Sequence, residues 1–160
     1  MQSPYIARMS AAVPGLAVQM LLVFVGAGAG GVLRLLVGRG VDGLTHGGPA
    51  SVGFPWGTLA VNLVGAGLIG VVAAVILQWA GAGRTLLGPA PGTAQLLLAT
   101  GVLGGFTTFS SLAIEAVGLV QSGRPVAAGL YVLMTNVLGI ALAFAGFAAA
   151  RGITGLMVRA

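Results

Sequence analysis

The chain is 160 residues long, 58% hydrophobic and 6% charged, with a mean hydropathy of +1.08, far too apolar for an ordinary soluble domain. Its net charge of +5 comes from seven arginines against Asp42 and Glu115, so it reflects missing acids rather than a basic patch, and nucleic-acid binding has no support. The absence of cysteine removes thiolate metal sites and disulfides, and a single His46 cannot form a histidine cluster. What remains is an all-α integral membrane protein.

Residues 1–14 carry Arg8 and little periodicity, and read as an N-terminal tail. Residues 15–37 form the first apolar run, with about the 20 residues that a hydrocarbon core requires. Arg8, the apolar stretch and Ala27-Gly28-Ala29 also fit a signal peptide, but the apolar pattern continues through Val32, Leu33, Leu35 and Leu36, which favours a retained helix. The same run matches a dinucleotide-binding fingerprint at Gly26, Gly28 and Gly31. That fingerprint needs a strand–turn–helix unit and an acid about 20 residues on, and neither alternation nor an acid is present. Gly26 and Gly30 instead make a ridge of small residues suited to close helix packing.

Gly38 is the expected stop of this helix, with Arg34 one turn inside and Arg39 just beyond, followed by a polar, glycine-rich loop in which Asp42 and His46 are solvated. Trp56 and Trp79 then bracket the second run, predicted over 56–81. At 1.5 Å per residue they stand about 35 Å apart, matching two interfacial aromatic positions. Asn62 lies inside this span, either as an interhelical hydrogen bond or as an amide donor facing an anion.

The third run, predicted over 93–120, contains Gly101-Val-Leu-Gly104-Gly105-Phe-Thr107-Thr108-Phe109-Ser110-Ser111-Leu112. Adjacent glycines weaken a helix, and β-branched threonines compete for its backbone bonds, so the helix is expected to break near its middle. Carbonyls freed at membrane depth are tolerated only when buried in protein, bound to an ion or facing a wet cavity. A plain Gly-Gly kink is the alternative. The fourth run, predicted over 126–150, places Tyr131 and Thr135 on one face and turns Asn136 away from it by about 100°. Residues 15–157 thus form one domain of four spans with both termini on one side. Arg8, Arg84, Arg151 and Arg159 face Arg34, Arg39 and Arg124 across the membrane, a bias too small to fix one orientation.

The polar residues inside the spans are mostly neutral hydrogen-bond donors: Asn62, Thr107, Thr108, Ser110, Ser111, Tyr131, Thr135 and Asn136. Such donors suit a small, strongly hydrated anion, because they replace its water without trapping it as a full cation would. Phe106 and Phe109 flank the threonines, and a ring presented edge-on also favours an anion. Glu115 is the acid within a predicted span. It needs a partner, a proton or water, so it either bonds the backbone of another helix or lines a vestibule. No nucleophile, base and orienting partner can be assembled, so no catalysis is expected.

These residues resemble the Fluc (CrcB) fluoride channels of bacterial membranes. Three signatures match in order: Gly30-Gly31-Val-Leu-Arg34, Gly57-Thr58-Leu-Ala-Val61-Asn62-Leu-Val-Gly65, and the residues 101–111 quoted above. The resemblance implies a passive, fluoride-selective channel of the bacterial cell membrane, protecting the cell from fluoride. It also implies an antiparallel dual-topology dimer, with itself or a homologous subunit, embedded in lipid. Its structural Na⁺ at the dimer interface would be held by the carbonyls of Gly104 and Thr107. Fluoride would pass Asn62, Phe109, Ser110, Tyr131 and Thr135, with Arg34 and Glu115 as vestibule or structural polar groups. Leu112 stands where the family usually has a second phenylalanine, so the same path is expected to touch a residue without a ring. The rival classes are a small four-helix drug or cation exporter, which would need an acid in its first span, and a structural membrane subunit.

Overall fold

The computed structural model describes residues 14–46, 53–81, 87 and 92–157. The expected tail and Arg8, Arg84 and Arg159 lie outside the described residues, as does the side chain of His46. Among the described residues six helical elements follow one another: α1 (Leu16–His46), α2 (Trp56–Gly81), α3 (Gln95–Leu103), α4 (Gly104–Phe106), α5 (Phe109–Gln121) and α6 (Pro125–Met157). The elements α3, α4 and α5 together make one membrane-length segment, so four spans are long and apolar enough to cross a bilayer among the described residues.

Two spans run further than the sequence predicts. α1 does not stop near Gly38 but continues to His46, so that its 31 residues measure about 46 Å, well beyond a hydrocarbon core of about 30 Å. Glycines at 38, 40 and 43 weaken a helix without forbidding it. The extension is anchored from outside, because the Gly57 backbone N–H at the start of α2 donates to Asp42 Oδ1 at 2.8 Å. Asp42 is exposed, as the sequence suggests, yet it also has a structural partner as a cap on the next helix. α6 likewise continues past 150 to Met157, and it begins on Pro125, whose missing N–H costs nothing at a first helical position.

The spans pack in two pairs, α1 along α3 and α4, and α2 along α6, with α5 laid on α6. Glycine sets the first pairing. A Cβ on Gly26 would lie 2.8 Å from the Gly101 Cα, and one on Gly30 would lie 2.8 Å from the Phe106 backbone nitrogen, so the two backbones touch where side chains would normally stand. The apolar core gathers instead between α2, α5 and α6, around Leu59, Leu112, Leu119, Ala128 and Tyr131. Large apolar side chains such as Phe24, Leu36, Leu130 and Phe144 point outward, as they do on a surface facing hydrocarbon rather than water.

Candidate functional site

The third span bends at two threonines. Thr107 has φ −77°, ψ 155° and Thr108 has φ −148°, ψ 116°, both extended, between helical α4 and α5. Gly104 and Gly105, where the sequence suggested the weakness, stay helical. Their smallness serves packing: a Cβ on Gly105 would lie 2.7 Å from the Ala27 Cα of α1. Upstream, α3 is wound as a nine-residue π-helix whose ladder ends with the Gly104 N–H donating to the Ala99 carbonyl, a rare winding met mostly at functional sites.

The bend is held largely by side chains, beyond the last helical bond of α4. Thr107 returns both its backbone N–H and its hydroxyl to the Leu103 carbonyl, each at 3.0 Å. The Thr108 N–H, which a continuous helix would give to the Gly104 carbonyl, donates to Asn62 Oδ1 at 2.8 Å, and Asn62 Nδ2 donates to the Thr108 carbonyl at 3.1 Å. One side-chain amide thus bonds both backbone groups of Thr108. Its second N–H stays uncommitted among the described residues. The Thr108 hydroxyl caps α5 by accepting from the Ser111 N–H at 3.1 Å, and it shares further bonds with the hydroxyls of Ser110 and Ser111.

A cavity of about 390 Å³ opens at this bend. It brings together Asn62, Gly104, Thr107, Phe109, Leu112 and Thr135 of the residues expected from the sequence, and adds Ala66, Ala99 and Asn136. Phe109 and Leu112 both reach it but are unequal partners: Phe109 is 76% exposed at the molecular surface, whereas Leu112 is 3% exposed within the core cluster. Thr135 donates its hydroxyl to the Tyr131 carbonyl of its own helix at 2.8 Å.

The structure does not bring Ser110, Tyr131, Arg34 or Glu115 to this cavity. Ser110 is exposed at the start of α5. Tyr131 is fully buried and donates to Glu115 Oε2 at 2.6 Å, while Thr58 donates to Glu115 Oε1 at 2.7 Å, so that one carboxylate ties α5 to both α2 and α6. The Phe54 ring meets Tyr131 edge-on at 5.4 Å. The sequence reading missed Thr58, although it stands one turn before Asn62 on the same face of α2. Arg34 lines a second cavity of about 430 Å³ with Arg39, Asp42, Thr58 and Ser111; Thr108 borders both spaces.

Four apolar spans around a bend lined by amides, hydroxyls and bare carbonyls define a small multi-pass membrane protein with a polar site at membrane depth. Residues 21–147 match the family described as "CrcB-like protein, Camphor Resistance (CrcB)". The chain is 44% identical to a fluoride-specific ion channel FluC of Rhizobium etli over 85% of this chain and 98% of the relative. It is 42% identical to one of Thermus thermophilus, over 79% and 89%, and 41% identical to one of Novosphingobium aromaticivorans, over 82% and 94%. The chain belongs to the CrcB family and is a multi-pass bacterial membrane protein.

Proposed function

We infer that this chain is a fluoride-specific channel through which fluoride leaves the cell passively, protecting it from fluoride toxicity. The relatives' names supply the ion, and the cavity at the bend supplies chemistry that fits it. Fluoride is small and strongly hydrated, so a path must return several hydrogen bonds without a fixed cation that would hold it. Asn62 offers an uncommitted amide N–H, and Ser110 and Phe109, whose ring edge favours an anion, are exposed at the bend. The hydroxyls of Tyr131 and Thr135 are committed in this conformation, so they serve the anion only after rotating away from Glu115 and the Tyr131 carbonyl. An exporter driven by proton exchange is not favoured, because the acid of α1, Asp42, is bonded at the far end of that helix rather than at mid-span.

The working unit in this reading is an antiparallel dimer of two copies. A phenylalanine 76% exposed beside an exposed Gly104, amid polar groups at mid-membrane, is a face that a second copy covers better than lipid does. The Gly104 carbonyl, deprived of its helical donor, and the Thr107 carbonyl in extended backbone suit a Na⁺ shared between copies, since hard cations prefer oxygen ligands. When bound, such an ion adds positive potential near the anion path.

The test is efflux from liposomes containing the purified chain, followed with fluoride- and chloride-selective electrodes. Rapid fluoride loss with chloride retained is expected. No fluoride flux from correctly assembled protein, or chloride flux at the same rate, would overturn the reading.

A further inference from the structure

Asn136 is a polar side chain that the reading above does not use. It lies on α6 about 16 Å along the axis from Pro125, near the middle of a hydrocarbon core of about 30 Å. Its side chain is exposed on the single chain and lines the cavity at the bend together with Thr135, Asn62 and Phe109. The turn of about 100° between neighbouring helical residues does not separate Asn136 from Thr135 here, because the cavity is wide enough to meet both.

Among the described residues its hydrogen bond is from Nδ2 to the Val132 carbonyl, at 2.7 Å. An amide has two N–H donors and a carbonyl acceptor, so one donor and the acceptor are left over. At this depth such groups are not left facing hydrocarbon, which requires a polar occupant in front of them. The bond to Val132 holds the planar amide at the cavity wall with its second N–H uncommitted. Thr135, its neighbour at the cavity wall, has already given its hydroxyl proton to the Tyr131 carbonyl. On the α6 side of the cavity, the uncommitted donor among the described residues is therefore Asn136.

We propose that Asn136 donates its second amide N–H to the permeating fluoride ion, acting with Asn62 as a second amide in the cavity at the bend. This rests on the fluoride-channel reading and names a further residue of its path. A hydrogen bond to a charged group, lost where the barrier lies, slows passage by about ten- to a hundredfold.

The experiment compares fluoride efflux from liposomes holding the wild-type chain, Asn136→Leu and Asn136→Gln, each checked for assembly by gel filtration in detergent. Asn136→Leu, which removes the amide at similar volume, is expected to assemble normally, to exclude chloride and to carry fluoride ten- to a hundredfold more slowly. Asn136→Gln keeps an amide donor and should recover part of the rate. Wild-type flux in Asn136→Leu would overturn the proposal. So would its failure to assemble, which would make the amide a contact between copies, and so would a Gln variant no faster than Leu, which would make the effect one of packing. A wild-type protein that carries no fluoride overturns the function reading, and this inference with it.

Discussion

The two halves of the third span reach their neighbours by opposite means. Upstream, α3 and α4 carry mainly small and apolar residues, and they meet α1 backbone to backbone at Gly26, Ala27 and Gly30. Downstream, α5 carries Ser110, Ser111 and Glu115, and it meets α2 and α6 through hydrogen bonds that cross between helices. The upstream contact depends on shape and tolerates no added atom. The downstream contact adds those hydrogen bonds to the apolar core around Leu59, Leu112, Leu119, Ala128 and Tyr131, so it answers to changes of polarity as well as of volume. The extended pair Thr107–Thr108 joins them, splinted by Asn62 from a third helix. A polar path can open at the joint because neither mode of packing closes it.

The comparison breaks most severely upstream. In Gly105→Val the new Cβ would stand 2.7 Å from the Ala27 Cα, with backbone that cannot swing aside, and overpacking of this kind costs about 3 kcal/mol. Loss of assembled protein in detergent gel filtration, weaker Na⁺ dependence of folding and no fluoride flux are expected. A variant with unchanged assembly and melting temperature would show that α1 and α4 do not need their close approach.

A smaller structural change, still large in function, is expected at the joint. Phe109 is 76% exposed on the single chain, so Phe109→Ile leaves no hole there, and its effect on that chain's stability should fall within about 0.5 kcal/mol. Fluoride efflux, by contrast, should fall about tenfold, the roughly 1.4 kcal/mol that an edge-on ring can contribute. Full flux from Phe109→Ile in liposomes would reject the aromatic contribution in this chain.

The smallest effect belongs downstream. Leu112 is packed against Leu59, Leu119, Ala128 and Tyr131, yet it also borders the cavity, into which a larger ring can turn. Leu112→Phe should carry fluoride as fast as wild type or up to about tenfold faster, given roughly 0.5 to 1.5 kcal/mol for an edge contact. A wild type that is silent until Leu112→Phe or a co-expressed homologous subunit is supplied would show that one ring per chain is not enough.

The spans were legible because length and apolarity in a membrane admit few solutions, and the ridge at Gly26 and Gly30 was legible because small residues at that spacing have little other use. Glycine was ambiguous elsewhere. At 38, 40 and 43 it read as a loop, and the decisive contact, from Gly57 to Asp42, lies in another helix. At 104 and 105 it read as one source of the break and the β-branched pair at 107 and 108 as the other, and it is the threonines alone that take the extended backbone. Asn62 was legible as a polar group at membrane depth, but its partner, the Thr108 backbone opened by the bend, exists only once the bend does. The carboxylate of Glu115 was known to need an answer, and nothing along the chain told which of several hydroxyls, Thr58 or Tyr131, would give it.

Asn62 joins the two halves and faces the cavity between them, so it carries the central claim. In Asn62→Asp the carboxylate still accepts the Thr108 N–H, but it can neither donate to the Thr108 carbonyl nor offer a proton to an anion, and it adds negative charge to the path. The measurement is fluoride efflux from liposomes at matched content of assembled wild-type and Asn62→Asp protein. The expected result is normal assembly with flux at least a hundredfold lower. Wild-type efflux from correctly assembled Asn62→Asp would contradict the account, because fluoride would then be crossing somewhere other than the bend.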